Sequence, residues 1–457
     1  MSETICALAT APGGALGMIR ISGAQALEIL SRIFSKDLST AQANTIHYGH
    51  IQTPPPSEGL GEFLPEIIDE VLVSVFRAPH SYTGEDSAEI SCHGSRYILN
   101  KVLELLVANG CRMAQPGEYT MRAYLNGKMD LSQAEAVADL IASSNKATHD
   151  IAMSQLRGQF SSLLAQLRNQ LLKLTSLLEL ELDFSDHEDL EFADRKELYL
   201  LAKDIDKHVT HLVHSFEMGN ALKQGIPVAI VGKTNVGKST LLNRLLKDDR
   251  AIVSDVHGTT RDTIEDTIDI QGITFRFIDT AGIRQTTDQV EQIGIERTFQ
   301  AIEKARIVLW IIDQKPLMEE INEVLQRTES KKLIIVINKI DKANNNGYNL
   351  LNLPFVAISA KQGMGIDALE QAIIEAADIP TLADSDFIVT NARHYDALTR
   401  SHDSIQHVIN GLQMQLSGDL LSEDLRQALD ALAEITGGQI TPNEVLGNIF
   451  KNFCVGK

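Results

Sequence analysis

An apolar run, Pro227–Val231, feeds directly into GKTNVGKS (Gly232–Ser239), and Ser239-Thr240-Leu241-Leu242 then opens a helical pattern. A strand, a glycine-rich loop and a helix in that order form a phosphate cradle, because successive backbone N–H groups and a helix N-terminus converge on an anion. A single match to this pattern is weak, but three further segments follow in the order that a guanine-nucleotide site requires. DTAG occupies Asp279–Gly282, NKID occupies Asn338–Asp341 and SAK occupies Ser359–Lys361. The apolar strands PVAIVG, TFRFID, IVLWIID and KLIIVIN each precede a loop that carries chemistry. That alternation constrains the segment to a doubly wound α/β sheet with its ligand at the carboxyl ends of the strands.

The residue types fit GTP and a divalent metal. In the phosphate loop Asn235, Val236 and Gly237 offer backbone N–H groups, Lys238 brings a point charge to the β- and γ-phosphates, and the Ser239 hydroxyl is the expected Mg²⁺ ligand, with Thr240 following it. Asp279 is placed to hold Mg²⁺ through water, with Thr280 and Ala281 leading to Gly282 beside the γ-phosphate. The Asp341 carboxylate accepts both guanine N1–H and N2–H, a donor pair that adenine lacks. Asn338 and Lys339 precede it, the Lys339 stem lies against the base plane, and the backbone of Ser359, Ala360 and Lys361 meets guanine O6. Residues 254–262 read SDVHGTTRD. Ser254, Asp255, Val256, His257, Gly258 and Thr259 form a switch that ends on Thr260, a second expected Mg²⁺ ligand.

The residue after DTAG departs from the Ras pattern. A glutamine there orients the attacking water in Ras-like GTPases, but this chain has Ile283, which has no polar atom for that task. Arg261 and Arg284 are near in sequence without being assured of reaching the γ-phosphate. Asn235 offers an amide oxygen close to the charge that develops between the β- and γ-phosphates, so a monovalent cation held by Asn235 and loop carbonyls is an expected substitute for an arginine finger.

Length and composition bound the rest. The 457 residues allow two to four domains, and 44% hydrophobic with 22% charged residues is ordinary for a globular chain. No apolar run approaches the ~20 residues of a membrane helix, and the start MSETICALATAPGG lacks the basic end and apolar core of a secretory signal. A cytoplasmic location and no membrane contact are expected. Four cysteines (Cys6, Cys92, Cys111, Cys454) lie far apart in sequence, without zinc spacing. A net charge of −20 argues against indiscriminate nucleic-acid binding while leaving room for RNA at a local basic patch.

Four segments are expected. Residues 1–126 form a mixed α/β domain, with strands at Ile67–Phe76 and Ala88–Ser91 and a helix at Tyr97–Ala108. Long amphipathic helices fill 127–223, with apolar residues at three- and four-residue spacing. The G domain covers 224–380, and helices return over 381–457. The simplest architecture inserts the G domain into one helical domain built from both flanks; the alternative is two separate helical domains.

Segments outside the G domain carry a resemblance. ALGMIRISG (Ala15–Gly23), SYTGEDSAEISCHGS (Ser81–Ser95), QPGEYTMRAYLNGKMDLSQAEAVADLI (Gln115–Ile141), DQVEQIGIER (Asp288–Arg297) and FCVGK (Phe453–Lys457) together resemble the MnmE (TrmE) family of bacterial tRNA-modification GTPases, in the right order along the whole chain. The resemblance implies a homodimer joined through N-terminal domains that bind a tetrahydrofolate derivative, 5-formyl- or 5,10-methylene-tetrahydrofolate. It also implies a partner, MnmG, which uses FAD and NADH, and addition of an aminomethyl or carboxymethylaminomethyl group to C5 of the tRNA wobble uridine. By resemblance K⁺ falls to Asn235, Ser254, Val256 and Thr259, and Glu291 acts through a bridging water in the place left by Ile283. Folate contacts carry over onto Arg20, Glu89, Lys128 and Lys457: a carboxylate suits the pterin edge, and a cation suits the acidic tail. Glu89 on the open face of a strand and Lys128 as a turn lysine are the plainer readings. Cys454 is either a nucleophile or general base in the uridine chemistry or a small buried apolar residue. Thr234 stands where the family commonly has proline, and His257 where small residues are frequent. A rival function is a ribosome-assembly GTPase that switches on RNA, although such proteins usually carry a compact basic domain after the G domain.

Overall fold

The computed structural model of the chain describes residues 3–54, 65–183, 195–248, 266–278, 299–342, 354–378 and 387–438, with 446, 449–451, 453 and 456. The expected site residues Ser254 to Thr260, Asp279 to Gly282, Glu291, Cys454 and Lys457, and Ile283, lie outside these residues. The chain divides into two compact units, one of residues 1–142, 152–205 and 403–457 and the other of residues 143–151 and 206–402.

In the first unit, six strands form a sheet in the order β3-β4-β5-β2-β1-β6. They are β1 (Ile5–Leu8), β2 (Leu16–Ser22), β3 (Thr45–Gln52), β4 (Ile67–Phe76), β5 (Ser87–His93) and β6 (Arg112–Met113). The pairings are antiparallel except β1 with β6. Alternation decides which face is buried. Ile19, Ile21, Val71, Val73, Val75, Ala88, Ile90 and Cys92 share one core with the apolar residues of α1 (Ala26–Ile33) and α2 (Arg96–Ala108). The residues between them, Arg20 and Glu89 included, therefore point to the opposite face. The expected strands and helix at 67–76, 88–91 and 97–108 are present, each within a residue or two.

Helices α3 (Glu118–Leu125), α4 (Leu131–Ala142) and α6 (Gln159–Asp183) follow, with α5 (Lys146–Leu156) between the last two. The helix Gly418–Thr436 packs on α6 and α4, so sequence from both flanks of the G domain builds one helical layer. Leu131 and Ala134 share a small core with Leu446, Phe450 and Phe453, and Tyr124 Oη donates to the Gly437 carbonyl at 3.1 Å. The N-terminal segment thus closes against the chain's end, which is why the α/β segment and the helical flanks fall in one unit.

The second unit holds a sheet ordered β12-β11-β10-β7-β9-β8: β7 (Ile226–Val231), β8 (Asp266–Ile270), β9 (Ile273–Ile278), β10 (Ile307–Ile312), β11 (Lys332–Ile337) and β12 (Phe355–Ala357). Five strands are parallel, and β8 is an antiparallel edge paired to β9. All six residues of β10 are buried, as both faces of a central parallel strand require. The chain order reverses between β7 and β10, the point where doubly wound sheets hold ligands. Among the described residues, no helix is long and apolar enough to cross a membrane.

Candidate functional site

The loop after β7 runs into α8 (Lys238–Asp248), whose first turn presents unpaired backbone N–H groups. Lys238 Nζ donates to the carbonyls of Gly232 at 2.5 Å and Lys233 at 2.7 Å. Burial holds its pKa below the ordinary lysine value. The ammonium is thus folded back onto its own loop, at the centre of the cradle. Ser239 follows within the first turn of α8, where a hydroxyl suits a hard cation, and Thr240 is exposed beside it. Asn235 has a left-handed backbone, φ 63°, which asparagine tolerates. Its side chain makes no hydrogen bond among the described residues, and an amide oxygen is the donor type that a monovalent cation takes.

Three strand ends meet through Asn338, which directly follows β11 and is buried. Its Nδ2 donates to the Val236 carbonyl at 2.7 Å, and its Oδ1 accepts from the Ala360 N–H at 3.0 Å. One side chain therefore ties the phosphate loop to the SAK loop. Gly237, at φ 103°, lies under it, and a Cβ there would collide with Asn338 Nδ2. Ser359, fully buried, donates to Asp341 Oδ1 at 2.7 Å and accepts from the Gln362 N–H at 3.3 Å. Its hydroxyl fixes the carboxylate whose task is base recognition. Lys339 Nζ spans the Asn235 carbonyl and Asp313 Oδ2, at 2.6 Å each. Lys361 is exposed. The described members of the expected guanine-nucleotide set, Asn235 to Thr240, Asn338, Lys339, Asp341 and Ser359 to Lys361, all lie at the carboxyl end of the sheet.

Asp313 was missed in the sequence. It directly follows β10 as the aspartate of IVLWIID, and an acidic residue after an apolar strand beside the phosphate loop was the available signal.

The second constellation sits on the open face of the N-terminal sheet. Arg20 and Glu89 are register partners on β2 and β5. Arg20 Nε and Nη2 both donate to Glu89 Oε1, at 3.0 and 2.6 Å, and Nη1 donates to the Gly456 carbonyl at 3.0 Å. The rings of Tyr82 and Tyr119 each lie 5.6 Å from the guanidinium, within cation–π range. Tyr119 Oη donates to the Arg20 carbonyl at 2.8 Å, and burial pushes its pKa up. Lys128 stands apart: its ammonium is exposed and donates to the Pro79 carbonyl at 2.9 Å. Arg20 is occupied in orienting Glu89 and the chain's end, and Lys128 is the cation left outward. Tyr82, Tyr119 and Gly456 were not foreseen, because no sequence spacing reports contacts between residues as far apart as Arg20 and Tyr119, 99 positions, or Arg20 and Gly456, 436 positions.

The loop carrying Tyr82 is itself braced. Glu85 pairs with Arg122 at 3.0 Å, Arg122 with Glu118 at 2.9 Å, and Glu118 with Arg112 at 2.6 Å. Burial opposes the charge on Glu118, yet the Arg112 and Arg122 guanidiniums and the Gln115 N–H hold its carboxyl below the usual range.

Residues 4–128 match the family described as the GTP-binding protein TrmE N-terminus, and residues 131–454 match the MnmE helical domain. The tRNA modification GTPases MnmE of Phocaeicola vulgatus and Bacteroides thetaiotaomicron are each 55% identical, with 100% of this chain and 99% of the relative covered. That of Flavobacterium johnsoniae is 49% identical over the same shares. Among solved structures, the G domain of the T. maritima FeoB iron transporter is 26% identical over 33% of this chain and 98% of that one, at a TM-score of 0.26. A nucleotide site tied together by Asn338, two matching family segments and relatives aligned from end to end lead to one assignment: the chain belongs to the MnmE (TrmE) family of tRNA modification GTPases.

Proposed function

We propose that the chain is a K⁺-activated GTP hydrolase that works on tRNA as a homodimer joined through residues 1–126. With the FAD-using partner MnmG it adds an aminomethyl or carboxymethylaminomethyl group to C5 of the wobble uridine, U34. The observation that carries the GTP reading is the Asn338 bridge, which gives phosphate recognition and base recognition one shared, buried support. Asp341, held by Ser359, reads the guanine edge. Lys238 leaves its loop carbonyls for the phosphates, and Ser239 with Thr260 holds Mg²⁺. Bound by Asn235, Ser254, Val256 and Thr259, K⁺ supplies the positive charge that an arginine finger would bring. Glu291 positions the water that Ile283 has no atom to hold.

The folate reading is supported by the Arg20–Glu89 pair. Two guanidinium bonds fix the Glu89 carboxylate on the open sheet face, where it meets the pterin edge, while exposed Lys128 and the terminal Lys457 meet the acidic tail. The folate supplies the one-carbon unit. Cys454 stands two residues before Gly456 in sequence, whose carbonyl Arg20 holds, and we assign the thiol to the uridine chemistry.

GTP turnover in KCl and in NaCl, for the wild type and Glu291→Ala, tests the hydrolysis. The wild type is expected to be fast only in KCl and the variant slow in both. Equal wild-type rates in the two salts would overturn K⁺ activation, and full activity in Glu291→Ala would remove the role of Glu291. Calorimetry with 5-formyl-tetrahydrofolate tests the other half: Glu89→Gln is expected to weaken binding at least tenfold without changing GTP turnover, and unaltered folate binding would defeat that site.

A further inference from the structure

Residues 143–151 belong to the G-domain unit, whereas the chain before Ser143 and after Ile151 belongs to the other. The chain therefore leaves the helical layer after α4, docks nine residues on the G domain and returns to enter α6. The docking is specific. Asn145 caps α5: its Oδ1 accepts from the Thr148 N–H at 2.8 Å, three positions on, as an N-cap residue does. Its Nδ2 donates to Thr274 Oγ1 on β9 at 2.8 Å. The next N–H of the helix, from Ala147, donates to the Gly272 carbonyl at 3.1 Å. A backbone donor that a helix leaves unpaired is thus satisfied by the β8–β9 turn. Ile151 completes the contact by entering the core that holds Ile268, Ile270 and Phe275.

The turn is built to receive it. Gln271 and Gly272 have φ 54° and 83°, the left-handed pair of a two-residue hairpin, and a Cβ on Gly272 would lie 2.8 Å from Lys146 Cβ. Both ends of this hairpin abut nucleotide motifs in sequence: β8 begins six residues after Thr260, and β9 ends at Ile278, immediately before Asp279. Five cross-strand pairs join the two strands, so the hairpin is a stiff element of ~17 Å whose turn end carries the contact with Asn145 and whose other end continues, in sequence, into those motifs.

We propose that residues 143–151 are a tether that passes the nucleotide state of the G domain to α4 and α6, with Asn145 and Thr274 as the positioning residues. The proposal rests on the GTPase reading above. Two other routes cross between the units as unbroken helices, α7 (Arg195–Gln224) and Ala392–Gln413, and the test separates them from the tether.

Hydrogen exchange is measured on the full chain in KCl and MgCl₂, with GDP and with a non-hydrolysable GTP analogue. In the wild type, peptides from 131–142 and 159–183 are expected to exchange differently in the two nucleotides. Asn145→Ala combined with Thr274→Val, which keeps the shape of the β9 side chain, should reduce that difference at least threefold. It should leave the difference within β7 to β10, and GDP affinity, within twofold. Restoring the hydroxyl, in Thr274→Ser with Asn145 intact, should restore the difference. A double variant that keeps the full difference would assign the coupling to α7 and Ala392–Gln413 and overturn the tether, as would a wild type with no difference at all. Failure of the wild type to bind GDP would instead sink the GTPase reading.

Discussion

Asn338→Ala is the sharpest probe of the nucleotide site, because it removes two bonds while replacing neither a phosphate-loop residue nor the base-reading aspartate. The side chain joins the Val236 carbonyl and the Ala360 N–H, which belong to residues 4% and 2% exposed. Deleting it leaves two backbone groups without partners in a place that water reaches poorly. Each such group costs about 1–3 kcal/mol, so the apposed arrangement of the two loops loses about 2–6 kcal/mol, with ~3 kcal/mol a central value if one water enters the space. GDP spans both loops and must restore their apposition on binding. Its affinity should therefore fall by roughly 100-fold, at 1.4 kcal/mol per tenfold. Calorimetry with GDP at neutral pH measures this, and Ser239→Ala serves as a comparison that leaves the bridge intact. A GDP affinity within threefold of wild type would refute the idea that Asn338 works by holding the loops together.

Two further predictions concern the same loops. Gly237→Ala places a Cβ against Asn338 Nδ2 on a backbone of φ 103°, so it should abolish measurable GDP binding, while folate binding stays unchanged; normal GDP affinity would show that the loop relaxes freely. Burial holds Lys238 below the ordinary lysine value in the free protein. With the folded pKa below the unfolded one, the fold favours the neutral amine, and stability rises with pH between the lowered value and about 10.4. Phosphates favour the ammonium and reverse the shift. GDP binding should then take up protons in that alkaline window and not at neutral pH, read as a buffer-dependent binding enthalpy; a buffer-independent enthalpy at every pH from neutral up to about 10.4 would contradict it.

Much of the fold was legible because its signals are local. The G-domain strands are continuous apolar runs, as buried parallel strands must be, and each ends on its motif, so sheet type and ligand edge followed together. The N-terminal strands at 67–76 and 88–91 showed through residue type, the second two residues short of its observed end at His93, and the helical flanks through three- and four-residue spacing. Boundaries between segments were less legible. Residues 143–151 read as part of one helical run, but Asn145 and Ile151 make their partners in the G domain, and nothing in a helical period reports which neighbour a helix end will choose.

The sequence by itself determined that this chain binds a guanine nucleotide, since phosphate cradle and guanine reader are short motifs whose residue types have few other uses. It also determined the family, through segments spread over the whole length. Only the tertiary structure decided that Asn338 is the tie between two loops, that Asp313 anchors Lys339, and that Arg20 is spent on Glu89 and the Gly456 carbonyl. It likewise brought Cys6 and Cys111 together as free buried thiols, where the neighbouring Cys6 thiol and burial push the Cys111 pKa up. Each of these is a contact between residues distant in sequence. Local chemistry fixes what a side chain is able to bond, but the packing of strands and helices selects which partner stands within about 3 Å.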